Sequence, residues 1–71
     1  MWETGTIGTY SYEAKVYEEP SKFGINGGRI SILDITDSNQ KCVCFYDRMW
    51  VIEPDGDELK EVYEQILEKF N

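Results

Sequence analysis

The sequence contains no histidine, and this absence narrows the chemistry that the chain can carry out. Histidine is the commonest general base and the commonest metal ligand near neutral pH. The serines fall in predicted strands and turns, so no nucleophile and base can be assembled into a catalytic pair. We therefore expect a protein that is not an enzyme, with no catalytic residue, no metal site and no cofactor.

Long apolar segments are also missing. No run approaches the roughly 18 residues of a transmembrane helix, and no basic stretch precedes an apolar one as in a signal peptide. Only two cysteines are present, Cys42 and Cys44, and strand geometry would point both to the same face. Such neighbours lie at the limit for a disulfide, so we predict two reduced thiols in a cytoplasmic protein.

Positive charge is scarce, with seven Lys and Arg against fourteen Asp and Glu and a net charge of −7. A phosphate backbone or an anionic membrane would repel such a chain, so we expect neither nucleic acid nor membrane as a direct partner. The charge favours a basic protein partner. The alternative is that acidity only keeps a small protein soluble.

The clearest pattern in the sequence is a C-terminal amphipathic helix. We predict Asp55 as its N-cap, with Glu58 completing a capping box. Its apolar stripe consists of Leu59, Val62, Tyr63, Ile66, Leu67 and Phe70. Its opposite, acidic face consists of Asp57, Glu58, Glu61, Glu64 and Glu68.

Three segments upstream are typical of β-strands. Residues 9–16 alternate between apolar and polar, residues 29–36 are apolar on both faces with a bulge near Asp34, and residues 42–47 form the third strand. Turn-forming residues at 37–40 predict a hairpin between the second and third strands. Residues 49–52 either continue the third strand or form a short fourth one.

The predicted fold is α+β, in a single domain over residues 1–71. It is a three-stranded or four-stranded antiparallel β-meander with the C-terminal helix packed on one face. The two faces would both be apolar, one with Leu33, Ile35, Cys44 and Tyr46 and the other with Ile30, Ile32, Val43 and Phe45. One helix covers one face, so the second needs the N-terminal residues Met1, Trp2 and Ile7, a second copy, or a partner protein.

Three sets of residues are candidate sites. Gly24, Gly27, Gly28 and Arg29 would form an anion-binding loop, but Asn26-Gly27 is instead a strong signal for a tight type I′ turn, which is the favoured interpretation. Tyr46, Arg48 and Trp50 are of the types enriched in binding hot spots, and the alternative is an Asp47–Arg48 ion pair with Trp50 packed under the helix. The acidic helix face would imitate a phosphate strand, or be merely a solvated surface.

Two further motifs are excluded by their spacing. The glycine-rich segment lacks the Lys-Ser/Thr pair and following helix of a P-loop. The acidic residues at 55–58 do not fit a calcium loop, because Val51 occupies the position of the first ligand.

Residues 24–31 and 46–50, followed by the terminal helix, resemble a family of small acidic proteins from Firmicutes bacteria, phages and mobile elements. The resemblance carries no known activity and implies only a setting, in which small acidic proteins bind and block host enzymes.

We therefore expect a non-enzymatic binding module, in its sharpest form a nucleic-acid mimic that inhibits a host nucleic-acid-handling or defence enzyme. The alternatives are a self-associating module that dimerises through the second sheet face, and a small anion or nucleotide binder.

Overall fold

The computed structural model describes all 71 residues and has an α+β fold, with one antiparallel sheet and one C-terminal helix. The elements in chain order are β1 (Trp2–Ile7), β2 (Tyr10–Val16), a 3₁₀ turn (Ile25–Gly27), β3 (Ile30–Thr36), β4 (Cys42–Asp47), β5 (Trp50–Ile52) and α1 (Asp57–Phe70). Each strand pairs with the next one along the chain. The predicted class, antiparallel meander and helix are confirmed, whereas the strand count is wrong, because the sheet has five strands.

Strand β1 is the element that the sequence pattern did not predict. Its sequence lacks alternation, and Gly5 in its middle is a weak strand former. Pairing with β2 places Gly5 opposite Tyr12, and a Cβ on Gly5 would lie 2.6 Å from the Tyr12 hydroxyl oxygen. Glycine therefore lets the tyrosine ring lie across β1. The N-terminal segment extends the sheet as an edge strand and does not cover its second face.

Three single-residue bulges set which side chains face the helix. Ser31 in β3, Val43 in β4 and Val51 in β5 have no partner in the strand registers. The bulge predicted near Asp34 is therefore misplaced, because it lies at Ser31. As a result Ile30 joins the buried core on the side of Leu33, and Ile32 faces the opposite way, half-buried.

The bulge in β4 likewise corrects the predicted faces of that strand. Val43 packs against the core instead of sharing a face with Phe45, which pairs with Ile52 on the other side. The two cysteine side chains also point to different faces of the sheet, and not to the same face as predicted. Cys44 is fully buried in the core, whereas the Cys42 thiol donates a hydrogen bond to Asp34 Oδ1 at 3.3 Å.

Both thiols are free, as predicted. Burial, with smaller contributions from Cys42 and Asp34, raises the pKa of Cys44 to about 12. Burial and the hydrogen bond to Asp34 also raise the pKa of Cys42. Both side chains are therefore neutral thiols at physiological pH, and Cys44 acts as a small apolar core residue.

Helix α1 closes the core over one face of the sheet. Leu59, Val62 and Ile66 are buried, and the remaining residues of the predicted stripe, Tyr63, Leu67 and Phe70, pack around them. The predicted capping box is wrong, because Gly56 is the N-cap, with φ 87°, and no side chain caps the helix. With φ 87° and ψ 150°, Gly56 has a backbone conformation that is accessible almost only to glycine, and the chain enters the helix through it.

Candidate binding surfaces

Four acidic residues of α1 lie on one line of the helix surface. Asp57, Glu61, Glu64 and Glu68 follow one another at steps of four, three and four residues, which places them within about 60° of the helix circumference. The line is roughly 16 Å long at the rise of an α-helix. All four residues are exposed. We call these four residues the carboxylate stripe.

Glu58, the fifth acid of the predicted face, lies off this line. It faces β2, where partial burial and then the neighbouring Glu58 carboxylate raise the pKa of Tyr10. The structure therefore divides the predicted acidic face, with four members on the stripe and Glu58 turned towards the sheet.

The carboxylate stripe is not neutralised by the protein itself. The only ion pair in the structure joins Arg48 Nε to Asp47 Oδ1 at 3.1 Å, at an exposed turn. No lysine or arginine nitrogen lies within ion-pairing distance of the stripe. Its negative charge is therefore open to a partner of opposite sign.

The structure does not bring the three predicted hot-spot residues together on one surface. Tyr46 is buried, and its hydroxyl donates a hydrogen bond of 2.7 Å to the carbonyl oxygen of Phe23. Trp50 lies edge-on between Tyr46 and Tyr63, with ring centroids 5.1 Å and 5.6 Å apart. Arg48 alone is exposed, in the turn after β4. This placement matches the structural alternative, in which Trp50 packs against the helix.

The glycine-rich loop forms the predicted tight turn. Asn26 and Gly27 both have positive φ, and the Gly28 N–H donates to the Ile25 carbonyl at 2.9 Å, as in a type I′ turn. The N–H groups of Gly24, Gly27 and Gly28 all donate to carbonyls within the loop. These donors are the ones that an anion would need, and the fold already uses them.

Asn71 holds this loop and was not singled out by the sequence. Its side-chain Oδ1 accepts a hydrogen bond from the Ile30 N–H, and its Nδ2 donates to the Ile25 carbonyl, both at 3.0 Å. A Cβ on Gly28 would lie only 2.3 Å from the Asn71 amide, so glycine makes room for it. Arg29, the remaining member of the predicted anion loop, lines a separate cavity of about 160 Å³ together with Glu3 and Glu18.

The sheet face opposite α1 has no cover from the chain, and we call it the far face. Its apolar residues are the exposed Trp2 and Ile52 and the half-buried Ile32 and Phe45. Two carboxylates, Glu13 and Asp34, lie directly opposite each other in the β2–β3 register. The far face is therefore of mixed polarity, less apolar than the sequence predicted, because the bulges turn Ile30 and Val43 towards the helix.

No group of three or more cysteine, aspartate and glutamate side chains is placed to hold a metal ion. The one helix, 14 residues long, falls short of the length and apolarity that a membrane crossing requires.

Comparison with known proteins assigns a family but not an activity. The chain belongs to the family defined by DUF7678, a domain of unknown function, which matches residues 1–71. Searches of curated proteins and of solved structures returned no match.

Proposed function

We propose that this protein is a non-enzymatic, cytoplasmic binding module that docks its carboxylate stripe on a basic surface of another protein. One observation carries the proposal: four exposed carboxylates lie on a single line of α1, and no lysine or arginine of the chain pairs with them. Like charges at i+4 destabilise a helix slightly and Glu–Lys pairs stabilise it, so a helix face that served only for solubility would gain stability from dispersed or paired acids.

The spacing along the stripe supports a sharper form of the proposal. Successive carboxylates are separated along the helix axis by about 4.5–6 Å, which is of the same order as the charge spacing along a nucleic-acid strand. A groove that binds phosphates through lysine and arginine would accept such a row. In this form the protein is a phage or mobile-element inhibitor that occupies the groove of a host nucleic-acid-handling or defence enzyme.

The energetics of such a contact are those of exposed charges. A single exposed ion pair contributes about 0–1 kcal/mol, so the stripe must act as a set. Its main effects are on association rate and on orientation, and both weaken as salt screens the charges. The property to measure is therefore the salt dependence of binding, and whether it is lost with the charges of the stripe or with any equal loss of net charge.

The test uses an arginine-rich peptide as the basic probe and two matched variants. Glu61→Gln/Glu64→Gln/Glu68→Gln removes three charges from the stripe, and Glu18→Gln/Glu19→Gln/Glu53→Gln removes three exposed charges elsewhere. We expect the stripe variant to bind the peptide about tenfold more weakly than wild type at about 50 mM salt. The control variant should lose less than about threefold, and all three proteins should converge at about 500 mM salt.

Equal weakening of the two variants would contradict the proposal, because net charge alone would then explain the binding. Circular dichroism establishes that both variants keep their helix. If the stripe variant is selectively impaired, capture from host lysate with wild type and stripe variant side by side then identifies the partner that depends on the stripe.

The uncovered far face favours a second candidate function, a self-associating module that dimerises face to face. Trp2 and Ile52 supply exposed apolar surface for it. The opposed Glu13 and Asp34 of each copy would, however, be buried against those of the other, which costs desolvation and repulsion. Light scattering tests it, since a strict monomer at high concentration rules out any such dimer.

A further inference from the structure

Strand β1 exposes a row of unused backbone hydrogen-bonding groups. Met1 and Val16 exchange two hydrogen bonds, from Met1 N to Val16 O at 2.9 Å and from Val16 N to Met1 O at 2.8 Å. In an antiparallel ladder, hydrogen-bonded pairs alternate with pairs that are not bonded. The N–H and C=O groups of Trp2, Thr4 and Thr6 therefore point away from β2, towards the outside of the sheet.

Most of the devices that usually protect an open strand edge are absent along β1, where Glu3, on the core side of the strand, is the only charged residue. Its register with β2 is free of bulges over six residues, and the strand contains neither proline nor lysine. The other edge of the sheet differs. Strand β5 has only three residues, carries a bulge at Val51 and is followed closely by Pro54. The sheet is thus closed to further pairing on one side and open on the other.

We propose that β1 pairs with β1 of a second copy of the chain, antiparallel about a two-fold axis at Thr4, to form a continuous ten-stranded sheet. The outward-pointing groups restrict the register, because hydrogen-bonded pairs must join outward residues of both strands, and the register centred on Thr4 is the one that pairs all three of them. Thr4 then lies opposite Thr4 of the partner copy, and Trp2 lies opposite Thr6. About six backbone hydrogen bonds then join the two β1 strands.

A second copy is favoured as the occupant because β1 is complementary to itself in this register. Glu3, its only charged residue, lies opposite Gly5 of the partner copy, so the two Glu3 carboxylates do not face each other. Trp2 and Thr6 form a cross-strand pair of an aromatic and a β-branched residue on the far face, a combination that stabilises sheets. The contact uses the same patch on both copies, as a two-fold interface requires.

The dimer has the opposite salt dependence to the carboxylate stripe. Each copy carries a net charge of −7, so the two copies repel each other at low ionic strength. Added salt screens this repulsion while leaving backbone hydrogen bonds nearly unchanged, and it strengthens the dimer. The inference does not depend on the proposed function, and the sign of the salt effect tells the two apart.

The test compares wild type with Thr4→Pro and Thr4→Ala by sedimentation equilibrium over a range of concentrations, at about 50 mM and about 300 mM salt. Proline removes the outward N–H of Thr4, which makes no bond within the chain, so the monomer loses no hydrogen bond of its sheet. We expect wild type and Thr4→Ala to dimerise with a dissociation constant that falls as salt rises. Thr4→Pro should remain monomeric at every concentration.

A second measurement keeps the test decisive if Thr4→Pro folds poorly. In wild type, amide exchange at Thr4 and Thr6 should slow as concentration rises, while exchange at Glu3 and Gly5, which are bonded to β2, should stay constant. A wild-type protein that is monomeric at all concentrations and salts would overturn the proposal. So would a dimer that persists in Thr4→Pro, because the contact would then lie elsewhere, for example on the far face.

Discussion

The side-chain amide of Asn71 contributes more to the fold than its position at the end of α1 suggests. It bonds to the Ile25 carbonyl and to the Ile30 N–H, so it joins the helix to both ends of the glycine loop. These partners are 46 and 41 residues away in sequence, and no local pattern could have predicted the contact. The Asn26-Gly27 turn beside it was predictable, because turn chemistry depends only on neighbouring residues.

We predict that Asn71→Ala lowers the free energy of unfolding by about 1–3 kcal/mol, because it leaves two partly buried backbone groups without a partner. Asn39→Ala is the matched control, since this asparagine lies exposed in the β3–β4 turn and its side chain makes no hydrogen bond. The control should change stability by less than about 0.5 kcal/mol. Urea denaturation of the three proteins measures both effects, and similar midpoints for both variants would contradict this role of Asn71.

The elements differ in how far the sequence determines them. Helix α1 was predictable because its apolar period is local, and β2, β3 and β4 were predictable from strand-like composition bounded by turn residues. Strand β1 was not, because its strand conformation comes from pairing with β2 and its central Gly5 is explained only by the Tyr12 ring. The positions of the bulges were not predictable for a related reason. A register is a property of two strands together, and a shift of one residue exchanges the faces.

At the helix, we predict that Ile66→Ala lowers the free energy of unfolding by about 2–5 kcal/mol, because it leaves a cavity where α1 meets the sheet. Ile66 is only 1% exposed. The neighbouring Gln65 is exposed, and Gln65→Ala should change stability by less than about 0.5 kcal/mol. Thermal unfolding followed by circular dichroism compares them. If Ile66→Ala unfolded at the temperature of Gln65→Ala, α1 would not be packed as described.

Charge is a property of the whole molecule. Acids occur in β1, β2, β3, β4 and α1 and in the connecting loops, and only one of them, Asp47, forms an ion pair. The sequence gives this net charge directly, but only the structure shows that four of the acids form a stripe free of lysine and arginine. The partner that we propose follows from neither composition nor fold, because binding specificity depends on a second surface that the chain does not contain.

We predict that the melting temperature rises by about 3 °C between about 10 mM and about 300 mM sodium chloride, because salt screens the self-repulsion of the native state. Differential scanning calorimetry at low protein concentration measures the shift without a contribution from dimers. The variant Glu61→Gln/Glu64→Gln/Glu68→Gln, with its net charge reduced from −7 to −4, should show a smaller shift. A melting temperature that is independent of salt would mean that the acids are too far apart to repel one another.

The order of the strands in the sheet has a consequence for how the chain folds. Every strand neighbours the one before it, and the longest connection between paired strands spans residues 17–29. Each step of sheet growth closes a short loop at small entropic cost, a topology associated with rapid folding. The bonds of Asn71 are the exception, since they join points more than forty residues apart. They require the helix to have docked on the sheet, so we expect the hydrogen bonds of Asn71 to be among the last native contacts to form.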